Sequence, residues 1–262
     1  MLKEFLLSTT WPMTPPTMFS LFHILPASAG ILLALLAACF LARRPAIRPE
    51  RMLFSCGLFL LVMEIYKQMF LYQIVNQKQY DWWYFPFQLC SVPMYLCLLY
   101  PFFAGPVSVQ SPAQKILATF LQDFGLLGGI MALTFPEGFL TSWWVLTIHG
   151  FLWHFLLIFI AVYCMRKGLC DFTENGFVKT LPLYALCCLI AATINTAVQW
   201  TVYPRSYTDL FYINCFFPSE QPLFHQISLA LGNIWGHLAY MLASCIGAGL
   251  IHQICRKAVH LP

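Results

Sequence analysis

Residues Tyr84–Tyr100 read YFPFQLCSVPMYLCLLY. The stretch is apolar enough to lie in a bilayer, yet it carries Gln88 and Cys90 between two prolines, Pro86 and Pro93. Proline removes a backbone donor and frees a carbonyl of the preceding turn, and lipid satisfies neither group. A segment of this kind is expected to face protein or a polar space. The polar residues of the other apolar runs are placed around it.

On both sides the chain is equally apolar. Apolar residues make up 60% of the sequence, charged residues 9%, and the mean hydropathy is +0.72. Soluble domains carry about 25% charged residues, so this is an all-α, polytopic membrane protein. Its 262 residues give room for a bundle of about seven spans of roughly 20 residues each. No length remains for a separate soluble part, and residues 1–262 are read as one domain. The net charge of +4 is not concentrated in a basic cluster, which excludes nucleic acid as a partner. Eleven cysteines, an odd number without a C-x-x-C pair, do not make a secreted disulfide framework. They are expected to be small, reduced residues between helices.

The spans are expected near Thr17–Ala42, Arg51–Val75, Tyr84–Ala104, Pro112–Phe135, Ser142–Met165, Val178–Thr201 and Gln226–Ile254. The first reads as a transmembrane helix and not a cleaved signal. Breaks fall at Arg43–Pro49, Asn76–Trp83, Ala104–Pro106, Pro136–Gly138, Arg166–Asn175 and Tyr203–Pro222, where proline, glycine, charge or interfacial aromatics collect. No internal repeat is evident, which speaks against a transporter built of inverted repeats. With the N-terminus outside, ten basic residues (Arg43, Arg44, Arg48, Arg51, Lys115, Arg166, Lys167, Lys179, Arg256, Lys257) lie inside. Only Lys3, Lys78 and Arg205 lie outside. This bias predicts N-out and C-in.

At about 1.5 Å rise per residue, that topology brings polar side chains from every span to overlapping depths. His23, Glu64, Lys67, Gln68, Gln88, Cys90, His149, His154, Asn195, Asn233 and His237 fall in the outer halves, and Asp123 nearer the midplane. Buried ionisable groups cost several kcal/mol unless paired or hydrated, so one connected polar chamber opening outward is expected. Each member also has a structural reading. Glu64 and Lys67 stand three apart on one helix face and neutralise each other; His23 and His237 bridge helices; Cys90 is one small packing residue among eleven. His149 and His154 point about 140° apart on a helix, which is not the two-His face of a metalloprotease. No metal and no cofactor is expected. No H-E-x-x-H, phosphate loop, nucleophile elbow or dinucleotide fingerprint occurs.

A cysteine and a histidine at one depth are the minimum for acyl transfer through a thioester: the imidazole takes the thiol proton and the thiolate attacks an ester. An apolar surround alone raises a thiol's pKa, so a neighbouring base or cation is needed, and His154 and Lys67 are the candidates.

The motifs FPFQLCS (Phe85–Ser91), LLVMEIYKQ around Glu64, DFGLLGGIMALTFPE (Asp123–Glu137), WHFLLIFIAVY (Trp153–Tyr163) and FSLFHIL around His23 keep one order along most of the chain. Together they resemble the YwaF-like family of bacterial integral membrane proteins, which is similar to eukaryotic transmembrane protein 164, an acyltransferase of ether phospholipids. The resemblance implies a nucleophile at Cys90 and a base at His154. It departs in two places. The family's histidine two residues before the cysteine is Gln88 here, and its Asn-Tyr segment is matched only loosely by Phe211–Cys215.

Three readings follow. The first is a phospholipid acyltransferase or hydrolase working on phospholipid or lysophospholipid, with Cys90 and His154 catalytic. The second is a proton or small-solute transporter relaying through Glu64, Lys67, Asp123 and the histidines. The third is a non-catalytic membrane scaffold.

Overall fold

The computed structural model describes residues 1–105 and 110–260; Pro106, the last residue of the Ala104–Pro106 break, lies outside them. A short helix α1 (Leu2–Ser8) precedes α2 (Leu21–Ala42) and α3 (Pro49–Phe70), which ends in a π-turn over Leu71–Val75. A short helix α4 (Val92–Leu99) continues as a 3-10 turn to Phe103. Then come α5 (Pro112–Thr134), α6 (Trp144–Arg166), α7 (Leu181–Thr201), α8 (Pro222–Leu231) and α9 (Asn233–His260). Six helices are long and apolar enough to cross a membrane, and Val92–Phe103 forms a shorter apolar one.

Helix α6 is the centre, packed between α2 and α5. On α2 the inward stripe is His23, Ala27, Gly30, Ala34, Ala38 and Ala42, spaced three or four apart. Small residues at that spacing let backbones approach, which is how helices associate where lipid removes the hydrophobic drive. The opposite faces carry exposed Leu25, Leu32, Leu36, Leu189, Leu242 and Ile254, suited to acyl chains. Helix starts follow the sequence. Ser111 accepts from the Gln114 amide at 3.1 Å in a capping box with Pro112 in the first turn, and Pro49 begins α3. Gly232, at φ +100°, makes the break between α8 and α9 that the sequence reading had merged into one span from Gln226.

The opening stretch departs most from expectation. Tyr84–Ala104 is not one span: Trp82–Tyr84 is a 3-10 turn, Phe85–Ser91 is irregular, and α-helix begins only at Val92. The two prolines are the reason, since Pro86 interrupts the helical ladder and Pro93 is tolerated only in a first turn.

The connections group at two ends. Trp82 N–H donates to Ser206 Oγ (2.8 Å), whose hydroxyl donates to Asp81 (3.1 Å), so residues 76–83 and 203–222 meet at one end. Lys167 Nζ donates to the carbonyls of Ala42 and Arg44, which gathers the basic turns at the other.

Candidate functional site

Irregular backbone at membrane depth must find partners in protein, and Phe85–Ser91 does. Tyr95 donates to the Pro86 carbonyl at 2.8 Å, Trp153 Nε1 donates to the Cys90 carbonyl at 2.9 Å, and Gln68 Nε2 donates to the Tyr84 carbonyl at 2.5 Å. Cys90 is half-buried and sits against α5. A Cβ placed on Gly128 would lie 3.8 Å from that of Cys90, and one on Gly129 would lie 3.4 Å from the His154 carbonyl oxygen. The glycines of α5 thus let the Cys90 segment approach Gly128 and the His154 turn of α6 approach the adjacent Gly129.

His154 is buried, and its Nδ1 donates to the Gly150 carbonyl at 2.7 Å, one turn back on α6. That bond leaves Nε2 as a lone-pair acceptor, and Nε2 has no hydrogen-bond partner. Cys90 Sγ is therefore not within bonding reach of it in this conformation. His154 stacks on Phe139 at 5.3 Å, whereas His149 stacks on Trp153 at 5.5 Å, so the two histidines do face different ways. Lys67 makes a 2.8 Å ion pair with Glu64, whose other oxygen accepts from Gln68 at 2.7 Å. The Lys67 ammonium also lies 5.9 Å from the Trp153 ring and within electrostatic range of Cys90, His149 and His154. Glu64, Lys67, Gln68, Cys90, His149, Trp153 and His154 thus form one group.

The single polar chamber is not what forms; the remaining members separate into two other arrangements and one staple. Gln88 donates to the Asp209 carbonyl (3.0 Å) and accepts from the Phe211 amide (2.7 Å). Asn195 clamps Leu210 in the same way, donating at 3.1 Å and accepting at 2.9 Å. His237 faces the carbonyls of Tyr212 (2.9 Å) and Phe217 (3.0 Å), and Asn233 donates to that of Cys215 (3.1 Å). These four hold the 203–222 connection, in which Phe211 and Tyr212 both take left-handed backbone (φ 59° and 54°). His23 is a staple: Nδ1 accepts from Phe19 and Nε2 donates to the Leu133 carbonyl at 2.8 Å.

Asp123 belongs to neither group. Its carboxylate accepts from His252 Nδ1 at 2.9 Å, both side chains fully buried beside Phe172 and Phe177. This buried pair lies apart from the outer-half chamber expected from the sequence. The sequence reading passed over His252, although an ionisable residue in the apolar run Leu250–Ile254 calls for a buried partner, and Asp123 was the carboxylate left without one. Among the described residues, no group of three or more His, Cys, Asp or Glu is placed to hold a metal.

Six long apolar helices around a proline-broken membrane segment define a multi-pass integral membrane protein. The family model described as the TMEM164 family matches residues 18–249, and the chain belongs to that family. No curated protein and no solved structure matches it.

Proposed function

We propose that the protein transfers acyl groups between membrane lipids through a thioester on Cys90. The observation that carries this reading is the buried, unpartnered Nε2 of His154. Its tautomer is set by Gly150, and it lies beside the irregular segment bearing the cysteine. In the first half-reaction Nε2 takes the thiol proton, the thiolate attacks the ester carbonyl of a phospholipid, and the ester C–O bond breaks. The leaving alkoxide recovers the proton from the imidazolium, which releases a lysolipid. In the second half a lysolipid hydroxyl gives its proton to Nε2 and attacks the thioester. The C–S bond breaks and the thiol is regenerated. Trp153 fixes the Cys90 backbone through its hydrogen bond to the Cys90 carbonyl. Proton transfer requires a shorter Cys90–His154 separation than this conformation has, or one intervening water. The charge bias supports a site facing the outer leaflet, and the resemblance to bacterial members supports a cytoplasmic membrane. A reporter at Lys78 signalling from the cytoplasm would reverse that orientation.

An acyl-chain activity probe tests the mechanism. It is expected to label wild type and His149→Ala, not Cys90→Ala, and to label His154→Ala about 10²–10⁴ times more slowly. Raising the pH toward a free thiol's pKa of about 8.5 should partly restore His154→Ala. Full lipid acyl transfer by Cys90→Ala would refute the mechanism.

A second reading, passage of protons or a small solute, is favoured by the Asp123–His252 pair, which places ionisable groups in the other half of the bundle. Proteoliposomes holding a pH-sensitive dye separate the two: a proton flux lost in His252→Ala and kept in Cys90→Ala supports transport.

A further inference from the structure

The connection between α7 and α9 has a feature that neither Cys90 nor the buried pair uses. A groove of about 780 Å³ is lined by Tyr203, Tyr207, Phe217, Glu220, His225 and Gln226. That volume lies within the range of small-molecule sites. Its rings are not parallel: Tyr207 meets Phe217 edge-on at 4.9 Å and 76°, and Tyr203 meets Phe217 at 5.5 Å and 51°. They present faces in several directions, and Trp83 backs the set by stacking on Tyr207 at 5.7 Å.

Glu220 and His225 give the groove an acceptor side, next to the Gln226 amide and the two phenols, which both donate and accept. Glu220 is exposed and makes no ion pair among the described residues. His225 Nδ1 donates to the Ser219 carbonyl at 2.9 Å, which leaves Nε2 of the neutral ring an acceptor. Burial first, then the Asp209 and Glu220 carboxylates, push the Tyr207 phenol upward, so Glu220 projects its charge onto the ring. No lysine or arginine lines the groove. Ring faces and an exposed carboxylate are complementary to a poorly hydrated cation. An anion would find less here.

We propose that this groove binds an alkylammonium group, the chemistry shared by zwitterionic lipid headgroups and by free quaternary ammonium solutes. The site is distinct from Cys90, and binding requires no thioester chemistry, so it stands or falls apart from the acyl-transfer reading.

The test uses the full-length protein in nanodiscs of phosphatidylglycerol, with intrinsic tryptophan fluorescence as readout because Trp83 stacks on Tyr207. Choline chloride is titrated in one arm. In the other, phosphatidylcholine replaces phosphatidylglycerol at rising mole fraction. A saturable response to choline identifies a soluble ligand, and a response to phosphatidylcholine alone identifies a headgroup; either supports the site. The response should be absent with 3,3-dimethylbutan-1-ol, the uncharged isostere of choline. It should weaken about tenfold in Glu220→Gln and several-fold in Tyr203→Leu, which keeps apolar area but removes the ring face. Cys90→Ala should bind as wild type does. No saturable response in either arm, an equal response to the alcohol, or unchanged binding by folded Glu220→Gln would overturn the proposal.

Discussion

Two carboxylates lie deep in this bundle, and their surroundings differ. Glu64 has Lys67 and Gln68 on its own helix, and the Lys67 side chain keeps 21% of its surface exposed. Asp123 has one partner, His252, reached across the α5–α9 contact, with side chains 0% and 1% exposed. The first arrangement is local and partly hydrated, so it forms whenever α3 does and keeps its ammonium in reach of water. The second exists only when two helices dock, and it links their packing to one hydrogen-bonded pair. Chemistry needs charge that can be redirected, whereas a buried pair that has used its charge holds structure. That contrast supports the proposal that the reactive group lies around Cys90.

The sharpest break of the comparison is to remove one carboxylate at a time. Asp123→Ala leaves His252 with no partner in the core and should cost about 3–5 kcal/mol, the penalty for breaking a buried pair. Glu64→Ala leaves a lysine that already reaches water, and roughly 1–2 kcal/mol is expected, between the exposed and buried limits. Thermal unfolding in detergent, followed by size-exclusion fluorescence, reads both. Equal losses would show that hydration does not separate the two sites.

Coupling sharpens it further. In double-mutant cycles, the pair Asp123→Leu and His252→Leu should be far from additive, the double variant costing no more than either single one. Glu64→Gln with Lys67→Met should couple in the same sense but less, because Gln68 still hydrogen-bonds position 64. Additive losses in Glu64 and Lys67 would show that the ion pair contributes nothing measurable.

The amide clamps come next in size. Gln88→Ala frees the Asp209 carbonyl and the Phe211 amide, and Asn195→Ala frees both groups of Leu210. Each unmet buried group costs about 1–3 kcal/mol, though water entering from the nearby surface offsets part of that for Gln88. Limited proteolysis should therefore cut the 203–222 connection faster in both variants, and faster in Asn195→Ala. Unchanged cleavage would mean that the aromatic contacts of Tyr207 and Tyr212 hold the loop alone.

Much of this was legible in the residues. Apolar runs and their basic flanks placed five spans within a few residues, because length and hydropathy in a bilayer leave few alternatives; the last, read as Gln226–Ile254, took in part of α8 and stopped short of the end of α9. The family resemblance, drawn on FPFQLCS and its companion motifs, agrees with the matched family. Depth along a helix was also readable, but direction around it was not. Gln88, Asn195, Asn233 and His237 share the depth of Cys90 yet turn to loop carbonyls, since the fold of the 203–222 connection has no periodic signal. The broken helix at Phe85–Ser91 was foreshadowed by Pro86 and Pro93 and still read as a span, because apolar composition outweighed the prolines. His252 was missed for the opposite reason: its helix looked complete without it.

A third carboxylate gives the hydrated end of the scale. Asp171, in the connection after α6, accepts from Lys179 at 2.7 Å and from the Thr173 hydroxyl at 2.7 Å. Burial alone would raise its carboxyl, but Lys179 and Thr173 outweigh that and hold it down at about 2. A carboxylate depressed in the folded state contributes stability above its unfolded value of about 3.9, lost as the pH falls toward the folded value. The loss should therefore fall between about pH 4 and pH 2. Because Lys179 is half-exposed, solvent screens the pair and the effect should be at most about 1 kcal/mol. Asp171→Asn should lower the unfolding temperature slightly at neutral pH, by the equivalent of at most about 1 kcal/mol, and flatten its fall across that window, so that variant and wild type converge near pH 2. A larger shift at neutral pH than that of Glu64→Ala would invert the order by hydration drawn between the three carboxylates.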